Sequence, residues 1–425
     1  MLTSHVPPIQ LRGLSSPRWF LLLAGTVLSL SVYYLNYGAE FDEGETAGGN
    51  AATLLTRAVA VALMVAALCP LRFKLGGAML LTLLWLASFV SMLIAIGAWG
   101  GINDSLFFNT VLQVPVLIAL TSTRWHVDYV RWLRFIAVVL ALQALFDMAI
   151  WWSDTSLWLS AAFVGGVGNP SSFGMLCSVL FAFCLLHPKA GRGRWVLALT
   201  LGVAAVMSKA LFAVLAVTIV SAAWLAHSWR RAAVGAFAIA VAAVLGLAIL
   251  EGDDTEGVGF VAHKLSAAGA LIGLLEYDID TSASVSMRLE MHQETMSAIA
   301  KQPTRLLWGH LEGKPYWPMD SQVLTYLGSF GAPMLLAFIA LNLWWLALAW
   351  RLRRHDGAFS IWSLGLFSLI FLTNRVLDYF PVATLYFLLV TLALQESYYI
   401  GRKRQRAVTR VNVQTAASRA QSSAP

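Results

Sequence analysis

Charged residues are only 12% of this 425-residue chain, so the few inside or beside apolar segments are the first candidates for chemistry. Arg57, Lys209 and Arg375 each fall within or at the end of a hydrophobic run. A cation at the centre of a bilayer costs a few kcal/mol, so each needs a partner or a wet cavity. Arg288 and His292 are one helical turn apart in a polar stretch. Together they can grip a phosphate, the arginine through its planar fork. They suit a solvated face beside Glu290 and Glu294 equally well. Asp320 closes the same stretch, where capping a helix is an aspartate's ordinary work and general-base catalysis is compatible with it. Asn169, Ser171 and Ser172 lie in GGVGNPSSFG, residues 165–174. Four glycines and a proline there predict a broken helix, of the kind tolerated where backbone lines a cavity. Its donors can face a ligand, or the break can be a packing kink of small residues.

The elements that hold these residues are apolar. The hydrophobic fraction is 59% and the mean hydropathy +0.71, while a soluble domain carries roughly twice this charge. An all-α polytopic membrane protein is expected. The three cysteines, Cys69, Cys177 and Cys184, sit in apolar segments and read as buried thiols. Met1 to Pro17 shows no cleavage motif, so the first apolar segment reads as a retained helix. Runs long enough to span lie at 18–36, 52–70, 75–99, 105–122, 129–152, 161–186, 194–208, 210–227, 232–250, 321–350, 358–374 and 379–399, about twelve in all. The resulting organisation is a 1–17 N-terminus, nine helices over 18–250, a loop at 251–320, three helices over 321–399, and a basic, disordered 400–425 tail.

Basic residues choose the orientation. The N-terminal-side connectors and the tail hold 21 of the 29 lysines and arginines. The opposite connectors are acidic, with Glu40, Asp42, Glu43, Glu45, Asp104 and Asp154. Both termini are therefore expected in the cytoplasm and the 251–320 loop outside. The RKRQR tail then reads as an orientation signal or a contact for anionic lipid, and no nucleic-acid partner is expected.

This topology sets Arg57, Asp147, Lys209, Arg375 and Asp378 near one leaflet boundary, under the loop. They suggest a polar cavity open to the outside. Arg57 with Asp147 and Arg375 with Asp378 can also be plain structural pairs, whereas MSKAL around Lys209 offers no local acid. The loop carries eleven acids and five bases. Residues 263–277 suit an interfacial helix. Residues 284–301 suit a second helix, capped by Ser282 or Ser284 and stopped by Pro303, with an apolar stripe of Val285, Leu289, Met296 and Ile299. KPYWPMD suits a membrane-interface turn or a platform for a sugar ring.

Three stretches together resemble the O-antigen ligase and polymerase superfamily. GNPSSFG resembles its G-x-x-N-P-N motif, and Ser208–Lys209 resembles its Ser-Arg at the outer membrane face. SVSMR at 284–288, followed by a Gly-rich turn and MDSQVLTYLGSFG, resembles its R-x-x-x-W, G-x-G and H-N-x-x-L-x-x-x-G-x-x-G series. The motifs cover about 160–335, and the topology covers the whole chain. The resemblance implies a GT-C-type glycosyltransferase of the bacterial inner membrane, without metal or cofactor. Its substrates would be glycans on undecaprenyl diphosphate, with a chain-length regulator and a flippase as further candidate partners beside membrane lipid. Lys209, Arg288 and Arg375 would bind the diphosphate, Asp320 and Arg288 would be catalytic, and His292, Asn169 and Arg57 would support them. Three positions depart from the family: Asp320-Ser321 replaces His-Asn, Lys209 replaces Arg, and His292 stands where the family tends to have Trp. The missing His favours a polymerase over a ligase. A secondary transporter is the reading from another class, although matched broken helices in two halves are not evident.

Overall fold

The computed structural model describes residues 13–35, 51–71, 105–153, 162–226, 283–313, 317, 319, 321–356 and 358–396. All regular secondary structure among them is helical. The helices are α1 (Ser16–Leu30), α2 (Ala51–Leu68), α3 (Ser105–Ser122), α4 (Tyr129–Ser153), α5 (Pro170–Leu186), α6 (Arg194–Met207), α7 (Leu211–Ala226), α8 (Ala283–Lys301), α9 (Gln322–Leu352), α10 (Phe359–Thr373) and α11 (Phe380–Glu396). By length and composition, α4 and α9 can cross a membrane, and seven shorter helices are also apolar. The expected spans at 75–99 and 232–250, the 263–277 helix and the tail lie outside the described residues.

A helix that is apolar on every side must be buried on every side. That is the situation of α5 and α11. Residues 172–184 of α5 and 380–393 of α11 are buried without interruption. Helices α4, α6, α7 and α10 pack against α5, α9 packs on α10, and α1 joins α2 and α4.

Two ends of the bundle are fastened by different chemistry. At one end arginines meet tryptophans and helix-terminal carbonyls. Arg18 donates to the carbonyls of Ala67 (3.2 Å) and Cys69 and lies 4.6 Å from the Trp125 ring centroid. The Trp125 indole donates to Cys69 O at 2.7 Å, and Arg134 donates to Lys189 O. The amide of Gln395 reaches the Tyr129 hydroxyl at 2.9 Å. The other end, where α9 follows the 251–320 loop, is held by hydrogen bonds to Gln143 and Asp147. Gln143 donates to Leu30 O (2.9 Å) and accepts from Gly166 N (3.1 Å). Asp147 accepts from the Tyr34 hydroxyl (2.6 Å) and from the backbone N–H of Val164 and Gly165 at 3.2 and 2.9 Å.

The 31-residue α9 is two helices in one. Gly331 sits at φ 79°, ψ 178° with Pro333 just beyond, and breaks the helical path there. The stretch after the break, 332–352, is about 30 Å long at 1.5 Å per residue, the thickness of a hydrocarbon core. The stretch before it is a docking surface for the end of the loop. A Cβ on Gly331 would lie 2.5 Å from Leu307 O, and one on Gly309 would meet Ser329 O. Only glycine at both positions lets the two backbones touch, and there His310 N–H donates to Ser329 O at 3.2 Å.

Candidate functional site

Of the seven residues singled out by sequence, four are gathered at the loop end. Asn169 begins α5: its Oδ1 accepts from Ser172 N–H at 2.9 Å, a standard N-cap, with Pro170 at the first helical position. Its amide nitrogen lies 3.4 Å from the Tyr379 hydroxyl. Arg57, buried at 5% exposure on α2, is within electrostatic reach of the same Tyr379 phenol. Arg375 is four residues before Tyr379, on the turn between α10 and α11. Lys209 occupies the hinge between α6 and α7 at φ 52°, its ammonium 5.8 Å from the Trp151 ring centroid. The hinge closes onto the second turn of α5 because Gly174 leaves room for the Ser208 side chain. Burial pushes the Lys209 ammonium pKa below the usual lysine value.

The sequence-level expectations need four corrections here. The break at 165–174 is the start of α5, not a kink within it: a 3-10 turn at Gly165–Val167 and left-handed Gly168 deliver the chain to the Asn169 cap. Ser172 is fully buried, so it does not offer its hydroxyl outward. Asp147 is engaged by Tyr34 and the 164–165 backbone, and so organises the turn before α5. The cap of α9 is Ser321, whose Oγ accepts from Leu324 N–H at 3.4 Å, not Asp320.

The loop residues are only partly described. Arg288 and His292 fall on α8, and their side chains lie outside the described residues, as do Asp320 and the Asp378 side chain. What is visible is how α8 is fixed. The Trp317 indole donates to Thr295 Oγ at 3.1 Å, and its backbone N–H donates to Ser329 Oγ at 2.9 Å. The Thr295 hydroxyl in turn lies 2.8 Å from Met319 Sδ. Trp317 is 4% exposed, so it bolts the loop to α9 and is not an open platform for a sugar. This bond also sets the rotation of α8. Thr295 and Ala298 are buried, whereas Met296, expected in the apolar stripe, is 65% exposed.

Asp320 and Arg375 are neighbours of residues that touch. Ser321 Oγ donates to Phe371 O at 3.1 Å, and Gln322 N–H donates to Asn374 O at 3.3 Å. Both carbonyls belong to the C-terminal end of α10, which has no intrahelical donors for them. Sequence reasoning missed the residues that make the links at this end, Tyr379, Gln322 and Ser321. They carry no charge, and their only signal is a polar side chain at or inside the edge of an apolar run. Among the described residues no three His, Cys, Asp or Glu side chains converge as metal ligands. No family model matches the chain, and no curated protein matches it.

Proposed function

We propose that this chain is a polytopic inner-membrane glycosyltransferase of about twelve spans and GT-C type. In this reading it polymerises oligosaccharide repeats carried on undecaprenyl diphosphate at the periplasmic face. The observation that carries it is that Asn169, at the start of α5, and the buried Arg57 both lie by Tyr379, four residues after Arg375, while the Lys209 hinge closes onto the second turn of α5. In this reading these four residues from distant parts of the sequence, three of them cations, would serve one anion site at the loop end.

The lengths of the helices support a recessed site. Helices α5, α6 and α10, whose two ends are both described, have 14 to 17 residues, or about 21–26 Å. That is shorter than the roughly 30 Å core of a bilayer. Their loop-end turns therefore lie below the outer surface, where Lys209 and Arg375 would meet the diphosphate of a lipid carrier. In the reaction, Asp320 takes the proton of an acceptor hydroxyl as its oxygen bonds to the anomeric carbon. The bond from that carbon to the diphosphate breaks, with inversion. Lys209, Arg288 and Arg375 neutralise charge on the departing diphosphate, which lowers the barrier most where water is excluded.

The test is to replace Asp320 by Asn and Arg288 by Ala and to size the polysaccharide made by cells at matched membrane levels of protein. Loss of long chains with accumulation of single repeats is expected. Full-length carrier-linked chains accumulating instead would mean a ligase, and normal products would sink the site assignment. Transport into liposomes without glycan synthesis would favour the transporter.

A further inference from the structure

The turn that carries Arg375 and Tyr379 is held at a single residue, Leu377, by two glutamine side chains. Gln113, midway along α3, donates its amide N–H to Leu377 O. Gln322, the first residue of α9, accepts from Leu377 N–H at 2.9 Å with its amide oxygen. Leu377 is 1% exposed, Gln113 1% and Gln322 0%, so water has little access to either peptide group. The same Gln322 donates its backbone N–H to Asn374 O. Gln322 thus ties the exit of the loop, two residues after Asp320, to the turn that bears Arg375.

We propose that Gln113 and Gln322 are positioning residues that hold the Arg375–Tyr379 turn against α3 and the start of α9. Their role in turnover rests on the proposed function, whereas the clamp itself does not. The chemistry distinguishes the two amides. On Gln113 the atom in use is the NH2, and its Oε1 is buried with no partner among the described residues. On Gln322 the atom in use is the oxygen, and its Nε2 is buried with no partner among the described residues. A change to leucine removes the working atom of either. A change to glutamate, which such burial keeps neutral, is nearly isosteric and leaves an accepting oxygen in place of that of Gln322.

The experiment compares Gln113→Leu, Gln322→Glu and Gln322→Leu in the full-length protein in nanodiscs. Backbone hydrogen exchange is followed over 371–380 by mass spectrometry, together with the KM and kcat for a lipid-linked donor. A buried group robbed of its partner loses enough free energy to raise local opening about tenfold to a hundredfold. Gln113→Leu and Gln322→Leu should speed exchange over 371–380 by that factor while exchange in α5 stays native, and they should raise KM for the donor. Gln322→Glu should keep exchange and kinetics close to the parent. Equal exchange in all three variants overturns the clamp, as does equal damage by Gln322→Glu and Gln322→Leu or loss confined to variants whose α5 has also opened. If exchange follows the expected pattern while no variant, nor the parent, elongates a glycan, the clamp stands and the glycosyltransferase reading fails.

Discussion

Replacing Gly331 by alanine should release the end of the loop from α9 and leave the helical bundle intact. The backbone at Gly331, φ 79° and ψ 178°, lies in a region that is essentially glycine-only, and an alanine there costs about 1–3 kcal/mol. The new methyl would also sit 2.5 Å from Leu307 O, 2.7 Å from Leu307 C and 2.8 Å from Gly309 N. All three are backbone atoms and cannot rotate away, so overpacking adds about 1–3 kcal/mol. The sum, about 2–6 kcal/mol, falls on the docking of 305–311. Even the lower figure raises the undocked population about thirtyfold at 1.4 kcal/mol per tenfold. Hydrogen exchange and limited proteolysis over 303–313 read this directly. Gly365→Ala is the control, because nothing lies within 4 Å of its Cβ position. The reasoning is refuted if Gly331→Ala protects 303–313 as well as the parent does, or if Gly365→Ala exposes that segment to the same degree.

Three further outcomes follow from the same geometry. Ser321→Ala removes the α9 cap and the bond to Phe371 O; it should cost about 1–2 kcal/mol, read as a lower melting temperature, and an unchanged melt would contradict it. Lys209→Arg should keep activity at higher pH than the parent, because the partly buried ammonium loses its proton below the usual lysine value while a guanidinium stays charged; coincident alkaline limbs would count against a role for that charge. His187 is 2% exposed, and its Nδ1 accepts from Lys189 N–H at 3.1 Å. Burial, aided by Lys189 and Arg134, lowers its pKa from 6.5 to about 4. The folded state therefore binds fewer protons there than the unfolded state, and stability falls as pH drops from 6.5 towards 4, by about 2 kcal/mol at pH 5. His187→Asn, which keeps an acceptor, should show a flatter melting profile between pH 7 and 5, and an identical profile would remove His187 as the cause.

Much of the framework was legible because charge and apolar length are strong signals. Alternating basic and acidic connectors grouped Arg57, Asp147, Lys209, Arg375 and Asp378 at one end, and the structure sets Arg57 and Asn169 by the same Tyr379. Less legible was what fastens the turns there. Gln113 and Gln322 carry no charge, and the two backbone groups of Leu377 that they bond have no sequence signature at all. Asp147 looked like a partner for a cation, yet exposed N–H groups at a glycine turn satisfy a carboxylate equally well. The rotation of α8 was misjudged for a similar reason. Periodicity counted Met296 as apolar, but one hydrogen bond from Trp317 to Thr295 decided which face is buried. In each case tertiary partners outweighed the local pattern.

The most direct measurement is elongation by the purified protein in lipid vesicles. Undecaprenyl-diphosphate-linked oligosaccharide is supplied as both donor and acceptor, and the products are resolved by size. A ladder of whole repeats, released diphosphate carrier in equal number to the bonds formed, and loss of both in Asp320→Asn are the expected result. Donor left as single repeats by the folded parent protein would contradict the central claim.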